Sequence, residues 1–408
     1  MNPRITLIIL SYLLFNSPVQ AQTPPDQVSL ATVLSLTRES SPRLALERQE
    51  IAIAEAERRT AGAFPNPTLS YGRQRPGSGN PLFDGKRQQD VAVELPLLIG
   101  GQRGARVEAA DRRIDATRAR ASASANELAA EAGAAHIALL AAQEKKTLLN
   151  TSLLELSRMR DIVAGRQVSG MASQYDLLRV DVELEAWRAR TAEADAEFVD
   201  RQGQLAALLG FPGWRPLAVG ELKPLDVRIN KNAAENPSLT AARREESAAQ
   251  ALTDVARRER FPALSLNAGR TWTSEPYGSA NVLGLAVEVP ILDTRAGAVD
   301  KARAEAHSAA LRVQLTEAGV RADQNRYQAL VERRSAALEQ FRERMVGRLP
   351  ALKQMAEDAY RLGRGSIIEL LDATRTRYET QLGQLELTAG LMEAQLRLQA
   401  SRGELVAP

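Results

Sequence analysis

Cysteine is absent from this chain of 408 residues. No disulfide framework can hold it together, so stability must come from packing or assembly. Aromatic residues make up only 4%, too few for a conventional globular core of this length. Alanine is abundant instead, and alanine at helix contacts lets helices approach closely. Beyond the N-terminus no apolar run is long enough for a transmembrane helix. A mature chain that enters lipid must therefore do so as a β-barrel, because only helices and closed barrels satisfy their backbone there. An excess of one charge is lacking too: 53 Lys and Arg against 50 Asp and Glu leave a net charge of +3. The charges are interspersed and no basic cluster alternates with aromatics. This argues against a nucleic-acid partner and for a solvated helical surface. Histidine occurs twice, as His136 and His307. No carboxylate cluster accompanies either at ligand spacing, so no metal site is expected. Gly100-Gly101 opens a helix after a strand, but the rest of a phosphate-binding fingerprint is missing. With no convincing catalytic constellation, the chain reads as a protein without cofactor or enzymatic activity.

What is present begins with a secretory signal over residues 1–21. Arg4 gives the positive start, Ile5 to Phe15 the apolar run, and Val19-Gln20-Ala21 the small-x-small cleavage shape. The mature chain is expected to start at Gln22, and with no Cys after the site a lipid anchor is not expected.

The remainder repeats itself. Val93-Glu94-Leu95-Pro96 recurs as Val287-Glu288-Val289-Pro290, Ser41-Pro42 as Asn236-Pro237, and Phe64-Pro65 as Phe261-Pro262. Gly170 to Asp176-Leu177-Leu178 recurs as Gly363 to Glu369-Leu370-Leu371. The order is kept and the offset stays at about 195 positions. The first repeat is placed at 22–214, with strands at 67–75 and 88–95 and a helical hairpin at 97–210 whose tip lies at 165–173. A connector spans 215–232. The second repeat covers 233–408, with strands at 263–272 and 281–289 and a hairpin at 294–405 whose tip lies at 363–366.

Each repeat opens with a helix, expected over Val28 to about Gly62 and from Ser238 to about Arg260. Period then switches to two: Leu69 and Tyr71, then Val91, Val93 and Leu95, then Leu264 and Leu266, then Leu283, Leu285 and Val287 occupy alternate positions. Long proline-free spacing of three and four follows from about Arg103 to Ala164, on the order of 90 Å of helix. A matching helix is expected from Ala296 to Leu362, kinked at Pro350.

The strands approach the length of transmembrane β-strands and each carries one apolar face. Val91, Val93, Leu283, Leu285 and Val287 are therefore expected to face lipid. Four strands cannot close a barrel, and an open edge in lipid is not tolerated. Three copies give about twelve strands, enough for a water-filled lumen. The expected architecture is mainly α with a membrane β-barrel, a homotrimer whose barrel continues into a helical barrel. Two alternatives stay open at this point: an adaptor subunit of an export system, or a coiled-coil scaffold without a pore.

The arrangement resembles the TolC family of outer-membrane efflux ducts over essentially the whole mature chain. Tyr360-Arg361-Leu362-Gly363 followed by Ile368-Glu369-Leu370-Leu371-Asp372-Ala373-Thr374 is similar to the family's tip signature. Leu98-Ile99-Gly100-Gly101-Gln102-Arg103-Gly104-Ala105-Arg106 resembles the subgroup attached to heavy-metal pumps of the cobalt-zinc-cadmium type. The resemblance implies a trimer reaching from the outer membrane into the periplasm of a Gram-negative cell. It would be opened by a periplasmic adaptor and an inner-membrane pump of the resistance-nodulation-division type. It implies a constriction at Glu369 and Asp372, where threefold symmetry would gather carboxylates and favour cations. Helix-terminal charges favoured by the macrodipole are the plainer reading of the same two residues. The resemblance also implies a lock involving Tyr360 and Asp176. The family's arginine past the second glycine is Gly365 here, which leaves Arg361 and Arg364 as candidates for that role. Gly170, Met171, Leu362, Gly363 and Arg364 would form the adaptor-docking tips. The cargo is not fixed by the sequence: a metal ion, a drug or another small solute would fit.

Overall fold

The computed structural model describes residues 24–75, 87–225, 235–274 and 278–405. The signal segment, most of the loop from Arg75 to Arg87 and part of the connector lie outside these residues.

The first helix is broken in two. After a short strand β1 (Gln27–Val28), helix α1 (Leu30–Ser40) ends at Ser41 and helix α2 (Pro42–Ala61) starts anew. Ser41 adopts an extended conformation, φ −64° and ψ 125°, as a residue before proline prefers. A single helix from Val28 to Gly62 is thus corrected by Pro42. Val28 pairs instead with Ala218 of β4 (Leu217–Ala218), in parallel.

Strands β2 (Thr68–Gln74) and β3 (Gln88–Leu97) form one hairpin, and β5 (Ala263–Thr273) and β6 (Ser279–Glu288) another. They join in one antiparallel sheet of order β2-β3-β5-β6. Between the hairpins the chain runs out along α3 (Gln102–Val168) and back along α4 (Gln174–Leu209). It passes β4 and returns to the sheet through α5 (Pro237–Arg258). Helix α3 has 67 residues, about 100 Å at 1.5 Å per residue.

After β6, α6 (Ala296–Arg344) is followed by a 3-10 turn (Val346–Arg348) and a separate helix α7 (Leu349–Arg361), and α8 (Ile367–Ser401) returns. The expected kink is a full interruption. Pro350 sits in the first turn of α7, where its missing N–H costs nothing. Further inside a helix its ring would strike the carbonyl four residues back.

Alanine and leucine make the seams. Ala129, Ala130, Ala132, Ile137, Leu139 and Leu140 of α3 are buried against α1, α4 and α8. Half-buried Gln143 and buried Gln202 tie the connector down: Gln143 Nε2 donates to the Ala218 carbonyl at 3.2 Å, and Gln202 Nε2 to the Pro216 carbonyl at 2.9 Å. Nearer the hairpin tips a second core gathers Leu156, Val163, Val180, Trp187, Ile367, Leu370, Leu371 and Tyr378. The fully buried Trp187 meets Tyr378 edge-on, with 4.8 Å between ring centroids.

Candidate functional site

Cross-strand register sorts the sheet into two faces. Leu69, Val93, Ala268 and Leu283 stand directly opposite one another, as do Leu95, Leu266 and Leu285, and Leu97, Leu264 and Val287. Paired residues share a face. Val91, paired with Tyr71 and Arg270, lies on this face too, so all five residues expected to meet lipid are on one side. Most of this face is open: Leu283 is 78% exposed and Leu285 69%, while Val91 is half-buried. Ser70, Gly72, Asp90, Ala92, Glu94, Asn267, Thr271, Gly284, Ala286 and Glu288 occupy the opposite face, with Val282 as its exposed apolar exception. The outer edges of β2 and β6 pair with no other described strand. Among the described residues no helix is long and apolar enough to cross a membrane.

At the far end of the long helices the two tips are built alike. Gly170 and Gly363 both sit in the left-handed region, φ 75° and 70°, where a side chain costs roughly 1–2 kcal/mol. Each closes its helix with paired carbonyl contacts. Gly170 N–H donates to the Gln167 carbonyl and Met171 N–H to that of Arg166; Gly363 N–H donates to the Tyr360 carbonyl and Arg364 N–H to that of Ala359. Three residues on, Ser173 and Ser366 cap α4 and α8, and Asp176 and Glu369 complete reciprocal capping boxes. Both are therefore helix-capping carboxylates in the isolated chain. Asp372, one turn into α8, is exposed. The turns carry exposed apolar side chains: Met171 and Leu362 themselves, with Val168, Tyr175 and Leu178.

Tyr360 lies between the tips, and the arginine it meets is neither Arg361 nor Arg364. Arg361 donates to Asp358 of its own helix. Arg166, in the last turn of α3, stacks its guanidinium 4.7 Å above the Tyr360 ring. Its Nη1 donates to the Tyr360 carbonyl at 2.9 Å. Burial and the nearby charge of Asp176 push the Tyr360 hydroxyl up, against the lowering effect of Arg166. Tyr360 is thus held by Arg166, with the charge of Asp176 nearby, while Asp176 turns back on Ser173 as Glu369 does on Ser366. A basic residue near a helix C-terminus was the only sequence signal for Arg166, and helix electrostatics alone accounts for that.

Behind the tips, charged pairs fasten α8 to the first hairpin. Glu183 of α4 is buried, its side chain 7% exposed, and Arg375 Nη2 reaches both its oxygens at 2.8 Å. Trp187 Nε1 donates to the same carboxylate at 3.0 Å. Burial would raise the Glu183 carboxyl, but these hydrogen bonds and the arginine charge hold it below its ordinary value. On the neighbouring seam Glu155 of α3 pairs with Arg377 of α8 and, at 3.2 Å, with Lys353 of α7. Among the described residues no group of three or more His, Cys, Asp or Glu is arranged to hold a metal ion.

Comparison with known proteins agrees with this geometry. The family model described as "Outer membrane efflux protein" matches residues 33–211 and 229–404. The cobalt-zinc-cadmium resistance protein CzcC of Cupriavidus metallidurans is 26% identical over 380 residues, covering 90% of this chain and 87% of its own. The crystal structure of VceC, an outer membrane protein of Vibrio cholerae, superposes with a TM-score of 0.75 at 17% identity, over 92% of this chain and 96% of the other. CusC superposes with a TM-score of 0.77 at 18% identity, over 91% of each chain.

Proposed function

The chain belongs to the outer membrane efflux protein family, and on that premise we propose that it is the exit duct of a tripartite pump, closed by three copies of itself. Its seat is the outer membrane. The observation that carries the proposal is the sheet: four strands, the apolar rows on one largely exposed face, and two edges that no other described strand pairs. In water that face costs about 25 cal/mol per Å² of apolar surface left exposed. In lipid the face is favourable, but the free edges are not. Joining β6 of one copy to β2 of the next through three copies removes every edge and yields twelve strands around an aqueous lumen.

The long helices would stand side by side beneath this barrel and extend it through the periplasm. The duct itself supplies no energy. It offers a continuous water path, and the pump drives the cargo. The exposed tips around Gly170 and Gly363 are proposed to dock the adaptor. Glu369 and Asp372 are proposed to form the constriction, with Tyr360, Asp176 and Arg166 holding the two tips together. Metal-resistance relatives such as CzcC make divalent cations the proposed cargo.

Purified mature protein in detergent tests this reading by mass and by planar-bilayer conductance. A trimer that opens cation-preferring channels is expected. A stable water-soluble monomer that opens no channels would refute it.

A further inference from the structure

The four strands of the sheet carry five charged residues, and the register segregates them by sign. Asp90, Glu94 and Glu288 lie on the polar face. Arg73 and Arg270 lie on the apolar one. A cation on a lipid-facing surface is costly at mid-depth, roughly 2–4 kcal/mol, and falls toward zero at the interfaces. On the lipid-facing reading these two would stand at the interface. Arg73 is level with Gln89 and Trp272, and Arg270 with Tyr71 and Val91. Both positions are next to the hairpin loops, at the end of the sheet opposite the long helices. Below them run the wholly apolar rows of Leu69, Leu95 and Leu97.

Aromatic side chains flank the two arginines. Tyr71 and Trp272 are exposed on the same face, as in the girdles that mark the lipid–water boundary of membrane barrels. The Arg270 guanidinium lies 5.6 Å from the Trp272 ring centroid, and its Nη2 donates to Ser279 Oγ at 3.0 Å. These contacts orient it without neutralising it. The register puts no carboxylate on this face, and Arg73 is two strands away, about 10 Å across the sheet.

We propose that Arg73 and Arg270, with Tyr71 and Trp272 beside them, form a rim site for the phosphate-bearing headgroup of an outer-leaflet lipid. The guanidinium fork matches phosphate oxygens in pairs, and the apolar rows beneath would hold the acyl chains. The site rests on the reading of this face as lipid-facing.

The test reconstitutes the full mature protein in bilayers containing purified lipopolysaccharide, or the same lipid stripped of its phosphates. Bilayer insertion and lipid retained through purification are then measured by native mass spectrometry. Wild type should retain the phosphorylated lipid and lose it when dephosphorylated. The double substitution R73Q/R270Q should insert but retain at least about tenfold less. R73K/R270K, which keeps the charge without the fork, should fall between. If inserted wild type retains both lipids equally, or inserted R73Q/R270Q retains as much as wild type, the rim site is wrong and the membrane reading stands. If wild type enters no bilayer, the membrane reading fails and takes the site with it.

Discussion

Glu369 accepts the backbone N–H of Ser366 at 3.3 Å while Ser366 accepts that of Glu369, so an alanine there deletes a cap along with a charge. Loss of such a cap costs about 1 kcal/mol. Glutamine keeps the capping geometry and removes only the charge. We therefore expect E369Q/D372N to leave thermal stability near wild type and to lower cation selectivity in a planar bilayer. Unchanged selectivity and conductance would remove both residues from the constriction. A second titratable group acts on stability. His136 is buried on α3, with its Nε2 3.0 Å from the Val28 carbonyl. Burial lowers its pKa, against a smaller raising effect of that hydrogen bond. A group whose folded value is depressed contributes stability above its unfolded value, about 6.5, that is lost as pH falls through the folded value. The unfolding temperature should thus drop on acidification below about pH 6.5. The drop should be smaller in H136Q, and equal slopes for the two proteins would contradict this account.

The hairpin tips behave as whole elements. Both turns reverse the chain through one left-handed glycine and restart it with a serine-acid capping box. The turns themselves are closed by backbone geometry, and the core of Val163, Ile367, Leu370 and Leu371 lies just behind them. G363V places a β-branched residue at φ 70°, at a cost of roughly 1–2 kcal/mol. The charged pairs Glu183–Arg375 and Glu155–Arg377 lie deeper in the bundle and hold α8 independently. The expected result is faster amide exchange confined to the turn and weaker adaptor binding, with assembly intact. Loss of the assembled state would mean that the turn also supports subunit packing. The interruption at Val346–Arg348 separates α7 from the stiff rod of α6, leaving the Tyr360 segment on its own short helix.

For the whole molecule the decisive balance is between apolar strand surface and open strand edges. An isolated copy exposes both, and the proposed assembly in lipid would resolve both. L285R puts a cation in the middle of the apolar rows and should cost roughly 2–4 kcal/mol near mid-depth. The measurement is the fraction of protein recovered as membrane-inserted trimer. Normal recovery would place Leu285 away from lipid. Arg270 on the same face gives the contrast: on the proposed reading an arginine is expected to be tolerated at the rim and excluded at the centre.

Periodicity determined a great deal without any coordinates. Alternation from Leu69 to Leu95 and from Leu264 to Val287 announced strands with one apolar face, and three-and-four spacing announced a first long helix of about 90 Å, because those periods are intrinsic to the backbone. Gly170 and Gly363 announced the tips, whereas the capping boxes Ser173-x-x-Asp176 and Ser366-x-x-Glu369 emerged only from the structure. Local proline chemistry was legible too, but its strength was not: Pro42 and Pro350 break helices where a continuous or merely kinked one was expected. Tertiary structure alone decided the remainder. Arg166 lies 194 residues from Tyr360, and no local pattern pairs them. Arg375 and Glu183 meet across 192 residues. Arg73 and Arg270 share the parity of the apolar face in the chain itself, yet only the register of β2, β3 and β5 sets them at one end of the sheet. Spacing along the chain specifies how each segment is shaped and which side is greasy, whereas contacts between distant segments depend on how those shapes pack in three dimensions.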